Sequence, residues 1–181
     1  MSTLFDTFNL AGTPLANRVV MAPMTRARAR NDIPDEHTVL YYAQRAGAGL
    51  IISEGVPVSR EGCGYLFNPG LYTAEQTQAW RKVTQAVHGR GARMFAQLWH
   101  VGRMSHVSLQ PQGGAPVSSV ATVAAHANAY AWVQPGQPGP VQASVPRALE
   151  TSEVQRVTAD FVNAARRAMD AGFDGIELHG A

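Results

Sequence analysis

Residues 49–56 read GLIISEGV, a short and almost continuous apolar run. Runs of this kind mark strands buried on both faces, the usual state of a strand inside a parallel sheet. Three further segments share the character: RVVMAP at 18–23, RMFAQLWH at 93–100 and GIELHGA at 175–181. Helical stretches lie between them. One is expected near Val39–Ala46, ended by Gly47 and Gly49. A second starts at Thr73, with Gln76 at capping-box spacing, and runs to about His88 before Gly89 and Gly91. A third is expected to open at Ser152, with Gln155 completing a second box. Val154, Val157, Phe161, Ala165 and Ala168 then form its apolar face, and Gly172 is its stop. Between the third strand and this helix, residues 101–150 are rich in Pro, Gly, Gln and Ser, including QPGQPGP at 134–140. So long an irregular connection is either a functional loop or a mobile surface excursion.

Repeated strand–helix alternation with buried strands predicts an α/β fold with a parallel sheet. Two architectures fit: an open doubly wound sheet and a TIM (β/α)8 barrel. A doubly wound dinucleotide domain carries a glycine-rich turn after its first strand. Here that strand is followed by PMTRARAR, which has no glycine, and the barrel is favoured. A barrel needs eight strands in about 250 residues. The 181 residues supply four, so the expectation is a single domain made of about the first four β/α units. Four parallel strands leave an open edge, which predicts a chain that is truncated, cleaved or paired with a second polypeptide.

Composition narrows the function. The chain is 45% hydrophobic and 15% charged, which supports a packed core and argues against disorder. The formal net charge is +2, and the only basic cluster, Arg26, Arg28 and Arg30, has no interleaved aromatics. That predicts no nucleic-acid partner and leaves a solvated loop or a small anion site. The single cysteine, Cys63, offers neither an internal disulfide nor a metal pair, which fits a cytoplasmic setting. The N-terminus lacks signal-peptide character and no run is long enough to span a membrane.

In a barrel the chemistry gathers at the C-terminal ends of the strands. Those ends carry Pro23-Met24-Thr25, Ser53-Glu54-Gly55, Gln97-Leu98-Trp99-His100 and Glu177-Leu178-His179-Gly180. A hydroxyl, a glycine, an amide and imidazoles suit a flat heterocycle with several hydrogen-bonding edges. Any one of these residues also has a bland reading as a cap or a satisfied core group. No carboxylate pattern accompanies His100 and His179, so no metal site is expected. The nucleophile elbow of a serine hydrolase is missing.

At these strand ends the chain resembles the old yellow enzyme family. The matching segments are LFDTFNLAGTPLANRVVMAPMTR, YYAQRAGAGLIISEG, GCGYLFNPGLYT, FAQLWHVGRMSH, VPRALE and AGFDGIELHGA, running in order from residue 4 to residue 181. The resemblance implies the N-terminal portion of one FMN-binding barrel domain, with non-covalent FMN and NAD(P)H as hydride donor. It implies that Pro23, Met24 and Thr25 line the flavin, with the Thr25 hydroxyl near O4. Gly55 supplies a backbone contact and Gln97 bonds the pyrimidine edge. His179 contacts the flavin and binds the oxygen of an activated alkene (an enal, enone, maleimide or nitroalkene), and so is the catalytic residue. Tyr65 and Trp99 shape the substrate pocket. The pairing of Thr25 with Trp99 is similar to the branch of the family that carries Thr, not Cys, at this position.

The family pattern also places a second oxygen donor three residues after His179 and a proton-donating tyrosine two residues further. Both positions, and the later basic residues for the FMN phosphate, lie past Ala181. A complementary C-terminal half is therefore the expected partner. The alternatives are an inactive flavin-binding or protein-interaction remnant, and half of a related flavin barrel such as a dienoyl reductase.

Overall fold

The computed structural model describes residues 3–180. The expected fourth strand segment 175–181 therefore ends, at Ala181, outside the described residues. The chain opens with a hairpin, β1 (Phe8–Leu10) and β2 (Thr13–Leu15), which pair antiparallel. Its two turn residues, Ala11 and Gly12, both have positive φ, 47° and 98°. Such primed turns match the twist of the flanking strands. The sequence reading did not anticipate this hairpin.

The central sheet contains β3 (Val20–Met21), β4 (Leu50–Pro57), β5 (Arg93–Trp99) and β10 (Gly175–Leu178). All pairs are parallel, in the order β10-β5-β4-β3. The order follows the chain without reversal. A doubly wound sheet would reverse it at a switch point and carry helices on both faces. Here α1 (Glu36–Ala43), α2 (Ala74–His88) and α3 (Thr151–Asp170) all pack on one face. Three β/α units of a barrel and the strand of a fourth are the result.

Each helix start has a local cause. The Asp35 carboxylate accepts the N–H groups of His37 and Thr38, both at 3.0 Å. This cap starts α1 at Glu36, three residues before the expected Val39. Thr73 caps α2 as its spacing predicts: its hydroxyl accepts from Gln76 N–H, and the Gln76 side chain accepts from Thr73 N–H, each at 3.1 Å. The expected Ser152–Gln155 box is corrected. The box belongs to Glu150 and Glu153, and α3 begins at Thr151. The Glu153 carboxylate accepts the Glu150 N–H at 2.8 Å and is gripped by both terminal nitrogens of Arg147. A carboxylate with a bidentate arginine partner out-competes a neighbouring serine hydroxyl. The expected face of α3 holds at Phe161, Ala165 and Ala168 and is corrected at its first turn. Ala164 and Ala168 are buried, with Phe161 and Ala165 beside them, while Val154 is exposed.

The core lies between the sheet and these helices. Met94, Ala96 and Leu98 of β5 meet Trp80, Val83 and Val87 of α2. Trp80 is fully buried, packs on Tyr42 and Phe173, and donates its indole N–H to the Gly70 carbonyl at 3.0 Å. It joins α1, α2 and the entry to β10. The opposite face of the sheet presents Phe95, Gln97, Trp99, Glu177 and His179. The two outer strands are β3 and β10, and Leu178 beside α3 is 63% exposed.

Residues 101–150 are not irregular throughout. β6 (Val117–Ser118) pairs with β9 (Arg147–Ala148), and β7 (Asn128–Gln134) forms an antiparallel hairpin with β8 (Gln137–Gln142). The proline-rich stretch contains this hairpin's turn, at Pro135–Gly136, with Gly136 at φ 79°. Leu109, Ala129 and Ala131 form a small core of their own beneath it, with Leu66 and Val141.

Replacing Trp80 by Ala removes the largest fully buried side chain. We expect unfolding free energy to fall by about 3–5 kcal/mol, read by equilibrium urea titration. A loss below about 1 kcal/mol would mean that the site collapses without a cavity.

Candidate active site

The C-terminal ends of the four strands meet on the face away from the helices. Their alignment depends on a bulge in β4. Ile52 pairs with Phe95 but Gly55 pairs with Gln97, so Ser53 and Glu54 together oppose Ala96. The Ser53 hydroxyl fills the bulge, accepting the Gln97 N–H at 3.0 Å and donating to the Glu54 carbonyl at 2.7 Å. One extra residue reverses the in–out alternation of everything after it. Gly55 thereby reaches the inner face beside Gln97, and Glu54 leaves it.

Gly55 is buried, and a Cβ there would stand 2.7 Å from the Trp99 indole. The ring that lies against this glycine belongs to Trp99. The Gly55 carbonyl accepts the Asn68 side-chain N–H at 2.7 Å. Trp99 stacks with both Tyr65 and His179, with ring centroids 5.6 Å apart in each pair and interplanar angles of 9° and 21°. Its own indole N–H is buried without a partner among the described residues. Gln97 is 6% exposed and donates its Nε2–H to Glu177 Oε1 at 2.7 Å. The backbone N–H of His179 donates to the Leu98 carbonyl at 3.0 Å, which continues the β5–β10 ladder and carries the imidazole to this end.

Pro23, Met24 and Thr25 follow β3. Met24 and Thr25 are exposed and Pro23 is half-buried. Their turn is tied to β4 by Glu54, whose carboxylate accepts the Arg26 N–H at 3.1 Å. Tyr65 is on no barrel strand. It is held by the excursion: Leu66 N–H donates to the Tyr130 carbonyl at 2.8 Å, and Tyr130 N–H to the Gly64 carbonyl at 3.2 Å. Arg26, Arg28 and Arg30 gather with Asp35, His37, Tyr41 and Glu54 around a cavity of about 570 Å3 beside this turn. The Arg26 guanidinium lies 4.2 Å from the centroid of the Tyr41 ring. His100 turns away from the site. Its Nδ1 accepts the Gly102 N–H at 3.0 Å, and its Nε2 lies 3.9 Å from Glu61.

Sequence reading named Glu54, Ser53 and Glu177 only as strand-end residues and passed over Asn68. An acid inside the apolar run GLIISEGV was the available signal for Glu54. Glu54 is 3% exposed, and burial pushes its pKa up to about 7, partly offset by the Arg26 N–H and the Tyr42 hydroxyl. Burial, and next the Glu54 charge, raise Tyr42 well above the usual phenol range.

These features define the class: a partial β/α barrel with polar and aromatic side chains gathered at the C-terminal ends of its strands. Residues 3–181 match the sequence model of the NADH:flavin oxidoreductase / NADH oxidase family, and the chain belongs to that family. It is 42% identical over 179 residues to 12-oxophytodienoate reductase 1 of Oryza sativa subsp. japonica, covering 98% of this chain and 44% of that protein. The figures for 12-oxophytodienoate reductase 7 of the same plant are 45%, 98% and 45%. Morphinone reductase in complex with tetrahydroNAD superimposes with a TM-score of 0.97 at 44% identity, over 100% of this chain and 50% of that one. The old yellow enzyme homologue from Zymomonas mobilis gives 0.90 at 42% identity, over 98% and 48%. The chain spans about half the length of the relatives it matches.

The family cofactor is FMN, and the rim suits it. Gln97 Oε1 accepts no hydrogen bond among the described residues, Thr25 is exposed on the turn after β3, and the Trp99 N–H has no partner among the described residues. A flat ring with alternating carbonyl and N–H groups along one edge matches that donor and acceptor set.

The Glu54 shift has a consequence for stability. The folded state holds the proton more tightly than an unfolded chain with the ordinary value of 4.5. Stability from this group is therefore complete below about pH 4.5 and lost as pH rises to about 7. The full loss is on the order of 3 kcal/mol. Glu54→Gln should flatten the pH dependence of the thermal midpoint across this window. An unchanged slope would show that Glu54 does not titrate there.

Proposed function

We propose that this chain forms the portion of an FMN-dependent ene reductase that holds the flavin's pyrimidine edge and one arm of the substrate's oxygen clamp. NAD(P)H is the proposed donor, and electron-poor alkenes (enals, enones, maleimides and nitroalkenes) are the proposed acceptors. The supporting observation is the convergence of Gln97, His179 and the Trp99–Tyr65 stack on one rim, beside the turn that carries Thr25.

When bound, FMN supplies the hydride relay between the two substrates. The protein's part is to hold and polarise. Pro23 and Met24 would line the ring, Gly55 would offer only the part of its backbone that the Trp99 indole leaves free, Thr25 would donate toward the O4 carbonyl, and Gln97 would pair with the pyrimidine edge. The His179 imidazole donates to the substrate's carbonyl or nitro oxygen. Charge that builds on this oxygen as hydride reaches the β-carbon is stabilised there, by the logic of an oxyanion hole. Trp99 and Tyr65 wall the pocket and exclude water. The second oxygen donor, the acid that protonates the α-carbon and the phosphate-binding residues are proposed to come from a complementary C-terminal barrel half.

In the complete protein, His179→Ala should slow reduction of a cyclic enone by about 100-fold or more, far more than it weakens FMN binding. Unaltered turnover would remove His179 from the clamp. Thr25→Ala should lower the two-electron flavin potential by about 30 mV, equivalent to roughly 1.4 kcal/mol. The potential is read by dye-coupled reduction, and an unchanged value would count against the O4 contact.

A further inference from the structure

Gln97 and Glu177 are direct partners in the β5–β10 register and share the inner face. Gln97 Nε2 donates to Glu177 Oε1 at 2.7 Å. A carboxylate oxygen accepts and never donates, whereas a carboxamide does both through chemically different ends. Beside Glu177 the amide therefore has one favourable orientation, with Nε2 toward β10. The other orientation would set Gln97 Oε1 against a carboxylate oxygen, two acceptors at hydrogen-bonding distance. The backbone below is pinned as well, because the Gln97 N–H is taken by Ser53 in the bulge. The end left open is Oε1, which accepts nothing among the described residues, together with the second Nε2 proton.

We propose that Glu177 is a specificity-determining residue: it fixes the direction of hydrogen bonding at Gln97, so that the site selects a ring by an imide N–H. An open acceptor flanked by a donor complements an N–H flanked by a carbonyl, which is the N3–C2 or N3–C4 edge of an oxidised flavin. A reversed amide would instead point both N–H donors at the ligand and favour a deprotonated or acceptor-only edge. This inference rests on the FMN reading above and adds a residue that touches neither flavin nor substrate.

The flavin's N3 proton reports the amide's direction without any turnover. A hydrogen bond from N3–H to Gln97 Oε1 stabilises the neutral ring and raises the N3 pKa above that of free FMN. In the full-length protein loaded with FMN, the visible spectrum is titrated through N3 ionisation. The wild type should titrate at least about one pH unit above free FMN, a tenfold change in proton affinity. Glu177→Gln and Glu177→Leu both release the amide and should bring the midpoint back by most of that unit, with FMN still bound. The same selectivity is read near neutral pH from the affinity ratio of FMN to N3-methyl-FMN, measured by fluorescence quenching. It should be about 30-fold in the wild type and several-fold smaller in both variants. A wild-type midpoint at or below that of free FMN overturns the proposal, as does an unchanged midpoint and ratio in both variants. Failure of the wild type to bind FMN at all would be seen before any variant is made, and would overturn the FMN reading itself.

Discussion

The Ser53 hydroxyl receives the Gln97 backbone N–H inside the β4 bulge, and the arrangement of the rim follows from that contact. In an unbroken strand, Ile52, Glu54 and Val56 would share the inner face and Gly55 would face the helices. The bulge exchanges these roles. Gly55 comes inward and leaves the space that the Trp99 indole occupies. Val56 goes outward into the helix-side core. Glu54 goes to Tyr42 and the Arg26 backbone, where it ties down the turn carrying Thr25. One extra residue thus sets the floor, the wall and one edge of the site.

The aromatic stack depends on this floor. The Trp99 indole can lie against Gly55 because that residue has no side chain, and the same indole stacks with Tyr65 and with His179. Tyr65 comes from a loop and would be mobile by itself. It is held because the β7–β8 hairpin reaches back to form two backbone hydrogen bonds around it. The long segment after β5 is therefore a support for the pocket wall, with its own small core. The segment is ordered packing rather than a loose surface excursion, and it packs against the loop that carries Tyr65.

Polar groups on the rim are arranged so that few remain free. Ser53, Asn68, Glu54 and Glu177 each satisfy a backbone or side-chain partner inside the protein. Among the described residues the amide oxygen of Gln97, the Oδ1 of Asn68 and the indole N–H of Trp99 are left without one. Such a site is pre-organised: groups that would otherwise compete for the ligand are occupied, and the open ones cannot turn away.

The order of elements, the parallel sheet and the barrel in preference to a doubly wound fold were legible in the sequence. Local periodicity and glycine stops carry that information, and the shortness of GLIISEGV and RMFAQLWH, between helical stretches, marks them as buried strands. The strand-end residues Thr25, Gln97, Trp99 and His179 were legible for the same reason, since a barrel's topology brings those ends together whatever the loops do. Helix caps were legible only where no stronger competitor stood nearby: Thr73 held its place, while Ser152 lost to Glu150 and Glu153 under the grip of Arg147. The tertiary structure decided the rest. Ser53 meets Gln97 across 44 residues, and Gln97 meets Glu177 across 80. A bulge, the burial of an acid or the direction of an amide depends on partners that distant, and no local pattern in a chain encodes them.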